Sequence, residues 1–172
     1  MSLRKHLIDS APRAVADDGL RGESWLDMAR SARVEVTSED SAHPVEAALL
    51  PGSEAGWRAG QPGEQIIRLI FDRPQHLRRI DLLFVEPEHT RMQEFVLRWS
   101  AAGRAFQDIV RQQWNFSPSG SVREAEAYQV DLSGVTVLEL MVIPDVSGGA
   151  ARASLARWRV ATRDSGDGRD PV

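Results

Sequence analysis

Cysteine is absent from this 172-residue chain, which excludes thiol catalysis, cysteine-based zinc sites and any disulfide framework. Long apolar runs are missing too. No stretch approaches the roughly 20 residues needed to cross a bilayer as a helix, and the start, "MSLRKHLIDSAPRAVADDGL", meets acids before any apolar segment of signal-peptide length. The resulting expectation is a cytoplasmic protein with no membrane partner. An excess of positive charge is also lacking. The 21 basic and 25 acidic residues give −4, not the broad basic footprint of a dedicated duplex-binding domain, so nucleic acid is a disfavoured partner.

Signatures of common chemistries are missing as well. His6, His43, His76 and His89 contain no His-x-x-x-His pair. There is no Gly-x-Ser-x-Gly elbow, no Walker glycine loop and no dinucleotide fingerprint. "EPEH", residues 86 to 89, could gather carboxylates and an imidazole on one turn, but acidic turns of this kind are usually solvated. Asp40, Glu46, Glu54, Glu64, Glu86 and Glu88 could supply a glycosidase pair, which needs two carboxyls about 5 to 9.5 Å apart on facing loops, yet they form no distinctive pattern. The expectation is a protein that is not an enzyme, with no metal and no cofactor.

What is present fits one globular core. A hydrophobic fraction of 42% with 27% charged residues is ordinary for a folded domain. Arginine far outnumbers lysine, and its planar fork suits carboxylate, phosphate or stacked-ring recognition, although a GC-rich genome gives the same bias. Residues 1 to 24 lack a firm period and read as a flexible arm with at most one helical turn. "SWLDMARSA" then places Trp25, Met28 and Ala29 at helical spacing, with Leu26 able to join them. Packing on the same chain is the first reading of Trp25 and Leu26, and homodimer contact the second.

From Arg33 the period becomes two. Val34 and Val36, then Ile67, Leu69 and Phe71, then Ile80, Leu82 and Phe84 each share a face. The same holds for Phe95, Leu97 and Trp99, for Tyr128, Val130 and Leu132, for Leu138, Leu140 and Val142, and for Ala156, Trp158 and Val160. "DRP", "SAAGR", "SPSG", "SG" and "SGG" read as stops, and "WSAAGRAFQDIV" as a hairpin turning at Gly103. About seven or eight short strands without long helices predict an all-β jelly-roll sandwich over residues 25 to 162, followed by a disordered tail over residues 163 to 172.

Two tryptophans with polar companions are the candidate ligand platforms. Trp57 precedes Arg58 in a segment rich in glycine and proline, and Trp114 lies in "RQQWNFSPSG" beside Arg111 and Asn115. An indole offers a flat apolar face, while guanidinium and amide groups orient hydroxyls or carboxylates. The competing reading caps the core with each indole, its N–H bonded to a carbonyl. Trp99 and Trp158 follow strand periods and are assigned to the core.

In this order, "AALLPGSEAGWRA", "EQIIRLIFDRP", "LRRIDLLF", "FVLRWSAAGRAFQDIV", "VTVLELMVIP" and "SLARWRV" resemble the successive blocks of the galactose-binding-like family, which includes the discoidin or coagulation factor 5/8 type C modules. The likeness covers roughly residues 32 to 161. It implies a jelly-roll that binds ligands through loops at one end without catalysis. Family members often hold a structural calcium with an Ala-Leu-Asp-Gly loop and a glutamate in the last strand. Here Leu50, Pro51 and Arg157 stand at those positions, and a hard cation needs oxygen donors, so no calcium is expected by that route.

"SEDSAHPVEAALL" with "WRA" and "GE" also resembles the start of the N-terminal domain of the X-ray repair cross-complementing scaffold protein, through Ser38, Asp40, Ser41, His43, Glu46, Trp57, Arg58 and Glu64. That likeness implies a shared packing of this loop around Trp57. The sequence-level expectation is a binding module for a carbohydrate or other polar small ligand: Trp57 and Trp114 stack, Arg58, Arg111 and Asn115 orient, and His43 supports the first loop. The alternative is a protein or nucleic-acid interaction module like the repair scaffold's domain.

Overall fold

The computed structural model describes residues 4–7, 13–14, 22–52 and 55–163. Among them the chain forms β1 (Arg4–Leu7), β2 (Arg13–Ala14), β3 (Glu23–Trp25), α1 (Met28–Ser31), β4 (Ala32–Val36), α2 (Glu46–Leu49), β5 (Trp57–Pro62) and β6 (Gln65–Val85). There follow β7 (Arg91–Ala101), β8 (Gln107–Phe116), β9 (Arg123–Ile143), β10 (Arg152–Leu155) and β11 (Arg157–Arg163). All-β architecture is therefore as expected from the two-residue period.

Strands β6 and β9 are each 21 residues long, and each belongs to two layers. The first part of β6 pairs with β4 and with the last part of β9; its second part pairs with the first part of β9 and with β11. One layer thus runs β1-β8-β7-β9-β6-β4 and the other β2-β9-β6-β11-β3, antiparallel throughout. The ladder between β6 and β9 shifts register between Ile70 and Arg79. Pro74 lies in that interval and cannot donate to a ladder, and Gly134 on the facing strand has φ 70°. "DRP" and the second "SG" are thus bends inside long strands, not the strand ends expected from sequence.

The chain N-terminal to the helical turn also differs from expectation. The described parts of the predicted arm are strands, pairing with β8, β9 and β11, because these edges still carry free backbone donors and acceptors. Trp25 lies in one of them, so the single turn of α1 takes only Met28 and its neighbours. Apart from Arg163, the predicted tail lies outside the described residues.

Both layers send their alternate residues into one core. Ile67, Leu69, Phe71, Ile80, Leu82, Phe84, Phe95, Leu97, Tyr128, Leu138, Leu140, Trp158 and Val160 are all buried, and the Phe84 and Phe95 rings stack at 5.1 Å. Trp99 is half-buried against the margin of this core. The β7–β8 hairpin turns at Gly103 with φ 69°.

Strands β5 and β10 form a separate antiparallel ribbon. Its inner face, Trp57, Ala59, Ala153 and Leu155, is buried, and its outer face carries Arg58, Arg152 and Ser154. The register places this ribbon at the end of the sandwich where β6 finishes and where β7 and β11 begin.

Candidate functional site

Residues 38–52 and 55–60 pack on one another, and polar side chains hold them together. The Trp57 indole N–H donates to the Ser38 carbonyl at 3.0 Å. The Ser38 hydroxyl accepts from the Gly60 N–H at 3.0 Å and donates to Gln65 Oε1 at 2.6 Å. Glu39 accepts from the Val45 N–H at 2.8 Å and Asp40 from the Ala42 N–H at 2.9 Å. Backbone bonds from Asp40 to Arg58 and from Arg58 to His43 complete the arrangement. Close approach demands glycine twice: a Cβ on Gly60 would sit 2.8 Å from the Glu39 carbonyl oxygen, and one on Gly56, at φ 67°, 2.7 Å from that of Leu155. The loop therefore packs around Trp57 as an anchor, its N–H satisfied.

A cleft of about 360 Å³ opens over this ribbon. Arg58, Arg152 and Ser154 line one side with His43, and the turn from Val85 to His89 lines the other. That turn is locked by one carboxylate. Glu86 Oε1 accepts from the backbone N–H of Glu88 at 3.2 Å and of His89 at 2.8 Å, and meets His89 Nδ1 at 3.1 Å. Its other oxygen meets the Arg91 guanidinium at 3.2 Å. Burial pushes the Glu86 carboxyl up, but these N–H groups and the Arg91 charge outweigh it and hold it below its ordinary value.

Arg91 lies beneath the cleft, 5% exposed. Its guanidinium donates to the Arg152 carbonyl at 3.1 Å and sits 5.5 Å from the centre of the Phe116 ring. Burial pushes its pKa down, against the pull of Glu86 and Asp145. Arg58 and Arg152 differ. Both are exposed, and neither side chain has a hydrogen bond or ion pair among the described residues.

The sequence-selected residues divide among three places. His43 and Arg58 line the cleft, with His43 Nδ1 3.3 Å from the Ala55 carbonyl oxygen. Trp57 does not stack on a ligand: it is 1% exposed, so its ring faces belong to the core. Trp114 and its two companions are separated by the pleat of β8. Gln112, Trp114 and Phe116 point inward, whereas Arg111 pairs with Glu94 on the outer face, the side to which the alternation also assigns Asn115. One platform holding all three is thereby excluded.

Trp114 instead borders a buried polar seam between the layers. Its N–H is buried without a partner. Beside it the Gln112 amide donates to Glu124 Oε1 at 2.9 Å and also to Glu126, and the Tyr128 hydroxyl donates to Gln112 Oε1 at 2.7 Å. Glu124 is 1% exposed. Burial first, and the neighbouring Glu126 charge second, push its carboxyl up to about 8. Tyr128 is likewise pushed up by burial.

At the expected calcium positions, Leu50, Pro51 and Arg157 line a largely apolar cavity of about 390 Å³ with Trp25, Leu26, Met28 and Trp158. Among the described residues no group of three His, Asp or Glu side chains is arranged to hold a metal.

Sequence reasoning missed Arg152, Ser154 and Arg91 as site residues, and it set "EPEH" with His89 aside as a solvated turn. "ASLARWRVAT" reads as one strand from its alternation, whereas the chain breaks at Ala156 into β10 and β11, and it is this break that puts Arg152 and Ser154 on the ribbon. Nothing local marks Arg91, whose role comes from what faces it.

No family model matches the chain, and no curated protein sequence matches it. Solved structures do share the fold. The family 32 carbohydrate-binding module of NanJ from C. perfringens, solved with galactose, is 11% identical, with 81% of this chain and 98% of that one covered and a TM-score of 0.59. A pectin-binding carbohydrate-binding module is 14% identical over 83% of this chain and 95% of its own, with a TM-score of 0.56. The CBM32 module of AlyQ, solved with 4,5-unsaturated mannuronic acid, is 12% identical over 74% and 92%, with a TM-score of 0.53. The fold is thus the galactose-binding-like jelly-roll sandwich that the sequence blocks implied.

Proposed function

We propose that this protein is a non-catalytic module that binds carbohydrate through the cleft between the β5–β10 ribbon and the 85–89 turn. The observation that carries this reading is the convergence of Arg58, Arg152, Ser154, His43, His89 and Glu88 on one cavity of about 360 Å³, within the roughly 300 to 1,000 Å³ of small-ligand pockets. The ribbon and the hydrogen-bonded turn fix the backbones that carry these side chains, so a ligand has only side-chain rotamers left to order. Solved neighbours of this fold include modules seen with galactose and with an unsaturated mannuronic acid, which supports the same ligand class here.

Catalysis is disfavoured by the state of the carboxyls. A glycosidase acid must hold its proton near neutral pH. Glu86 is held low and its oxygens are engaged. The carboxyl that is pushed up, Glu124, is sealed between the layers.

A glycan array followed by calorimetry tests the proposal. Binding that Arg58→Ala weakens and Arg104→Ala, at the far hairpin, leaves alone is the expected result. No binding across neutral and acidic saccharides would reject it, and so would salt-sensitive binding to nicked DNA in place of any sugar.

A further inference from the structure

Among the described residues the cleft has unpaired charge and no exposed tryptophan, tyrosine or phenylalanine ring. Arg58 and Arg152 project from the outer face of one ribbon: Arg58 is the cross-strand partner of Ser154, and Arg152 lies two residues before Ser154 on the same strand. Both guanidinia are without partners among the described residues, as described above. Of the described acids lining the cleft, Glu86 is already engaged by Arg91 and the turn N–H groups, which leaves Glu88 facing Arg58 and Arg152. Among the described residues the one tryptophan, tyrosine or phenylalanine lining it, Trp57, is 1% exposed. A neutral sugar gains much of its affinity from the flat apolar face of an exposed aromatic ring, and this cleft gives it only Val85, Pro87 and small aliphatic groups.

The geometry points to a saccharide bearing a carboxylate, a uronic acid, with that group held by Arg58 and Arg152 and its hydroxyls met by Ser154, Glu88, His43 and His89. This rests on the carbohydrate-binding reading and narrows it. A planar carboxylate matches the two N–H groups of a guanidinium fork, so an arginine gives direction as well as charge. Two such forks on one rigid ribbon would fix the ring's orientation over the cleft. Arg91 below is already paired with Glu86 and would not compete for the ligand.

Titration calorimetry of the whole chain with digalacturonic acid, and with the neutral galactobiose of the same linkage, separates the two ideas. The expected result is preference for the acid by about tenfold or more, the scale of one charge-assisted contact. Arg58→Ala and Arg152→Ala should each remove most of that preference, while melting temperature and the response of Arg104→Ala stay at wild type. Equal binding of the two disaccharides, or a preference that survives both arginine variants, overturns the inference and leaves the carbohydrate reading standing. Tighter binding of a sulfated galactobiose than of the uronate would likewise overturn the assignment to a carboxylate. Silence toward every saccharide overturns both.

Discussion

Glu86 and Glu124 stand near the ends of paired strands, since Phe84 faces Glu124 in the ladder and the Glu86 N–H reaches the Val122 carbonyl, yet their carboxyls end in opposite states. Burial raises both. At the cleft, backbone N–H groups and Arg91 more than reverse the effect and leave a fixed anion. In the seam, Gln112 supplies one neutral donor, Glu126 adds like charge, and Glu124 Oε2 has no partner. The same residue type is therefore an ionised brace in one place and a neutral, sealed group in the other. Partners, not burial, decide which.

The comparison can be broken most forcefully at Arg91. Arg91→Ala leaves the part-buried Glu86 without its buried cation, and losing one partner of a buried pair costs up to about 3 to 5 kcal/mol. Urea unfolding should show that loss, with partial recovery in the Arg91→Ala/Glu86→Gln double variant. A loss no larger than at an exposed site would mean that the turn N–H groups alone hold Glu86.

Glu124 should respond next, and with the other sign. Its folded value, about 8, lies above the ordinary 4.5. Below 4.5 both folded and unfolded chains keep the proton, so stability is unaffected there. Between 4.5 and 8 only the folded chain keeps it, so stability falls as pH rises and then levels off. Glu124→Gln removes that slope and should add about 2 to 4 kcal/mol at pH 8, but little at pH 4.5. Parallel pH profiles of the variant and wild type would contradict a proton on Glu124.

Glu86 gives a smaller effect in the acid range. Its folded value is lowered, so its contribution is complete above the ordinary carboxylate range and is lost as pH falls through the lowered folded value. Glu86→Gln should cost about 1 kcal/mol at neutral pH and less in acid, as thermal melts across pH 3 to 7 would show. Arg58→Ala and Arg152→Ala complete the series: exposed and unpaired, they should shift stability by no more than about 0.5 kcal/mol while changing ligand binding. A large stability loss from either would mark it as a structural part of the ribbon.

Much of the fold was legible in the residues. Alternation assigned Ile67, Leu69 and Phe71, or Leu138, Leu140 and Val142, to the buried side because a strand's side chains point to opposite faces in turn. It also described the hairpin at Gly103. A platform shared by Trp114, Arg111 and Asn115 does not form, because these residues lie on β8, where the same alternation separates Trp114 from the other two. For Trp57, the loop's own serine and glycines mark an anchored segment, and its capping reading was the correct one.

By itself the sequence determined the two-residue period, the inward faces, and the presence of Leu50, Pro51 and Arg157 at the expected calcium positions. Each is a matter of near neighbours, where side-chain size, charge and backbone freedom act directly. Tertiary structure alone decided that the runs before and after "DRP" are one strand shared between layers, and that Arg58, Glu86, His89 and Arg152 meet at one cleft. It also decided which of two glutamates keeps its proton, because the groups that settle a carboxyl's charge arrive from other strands.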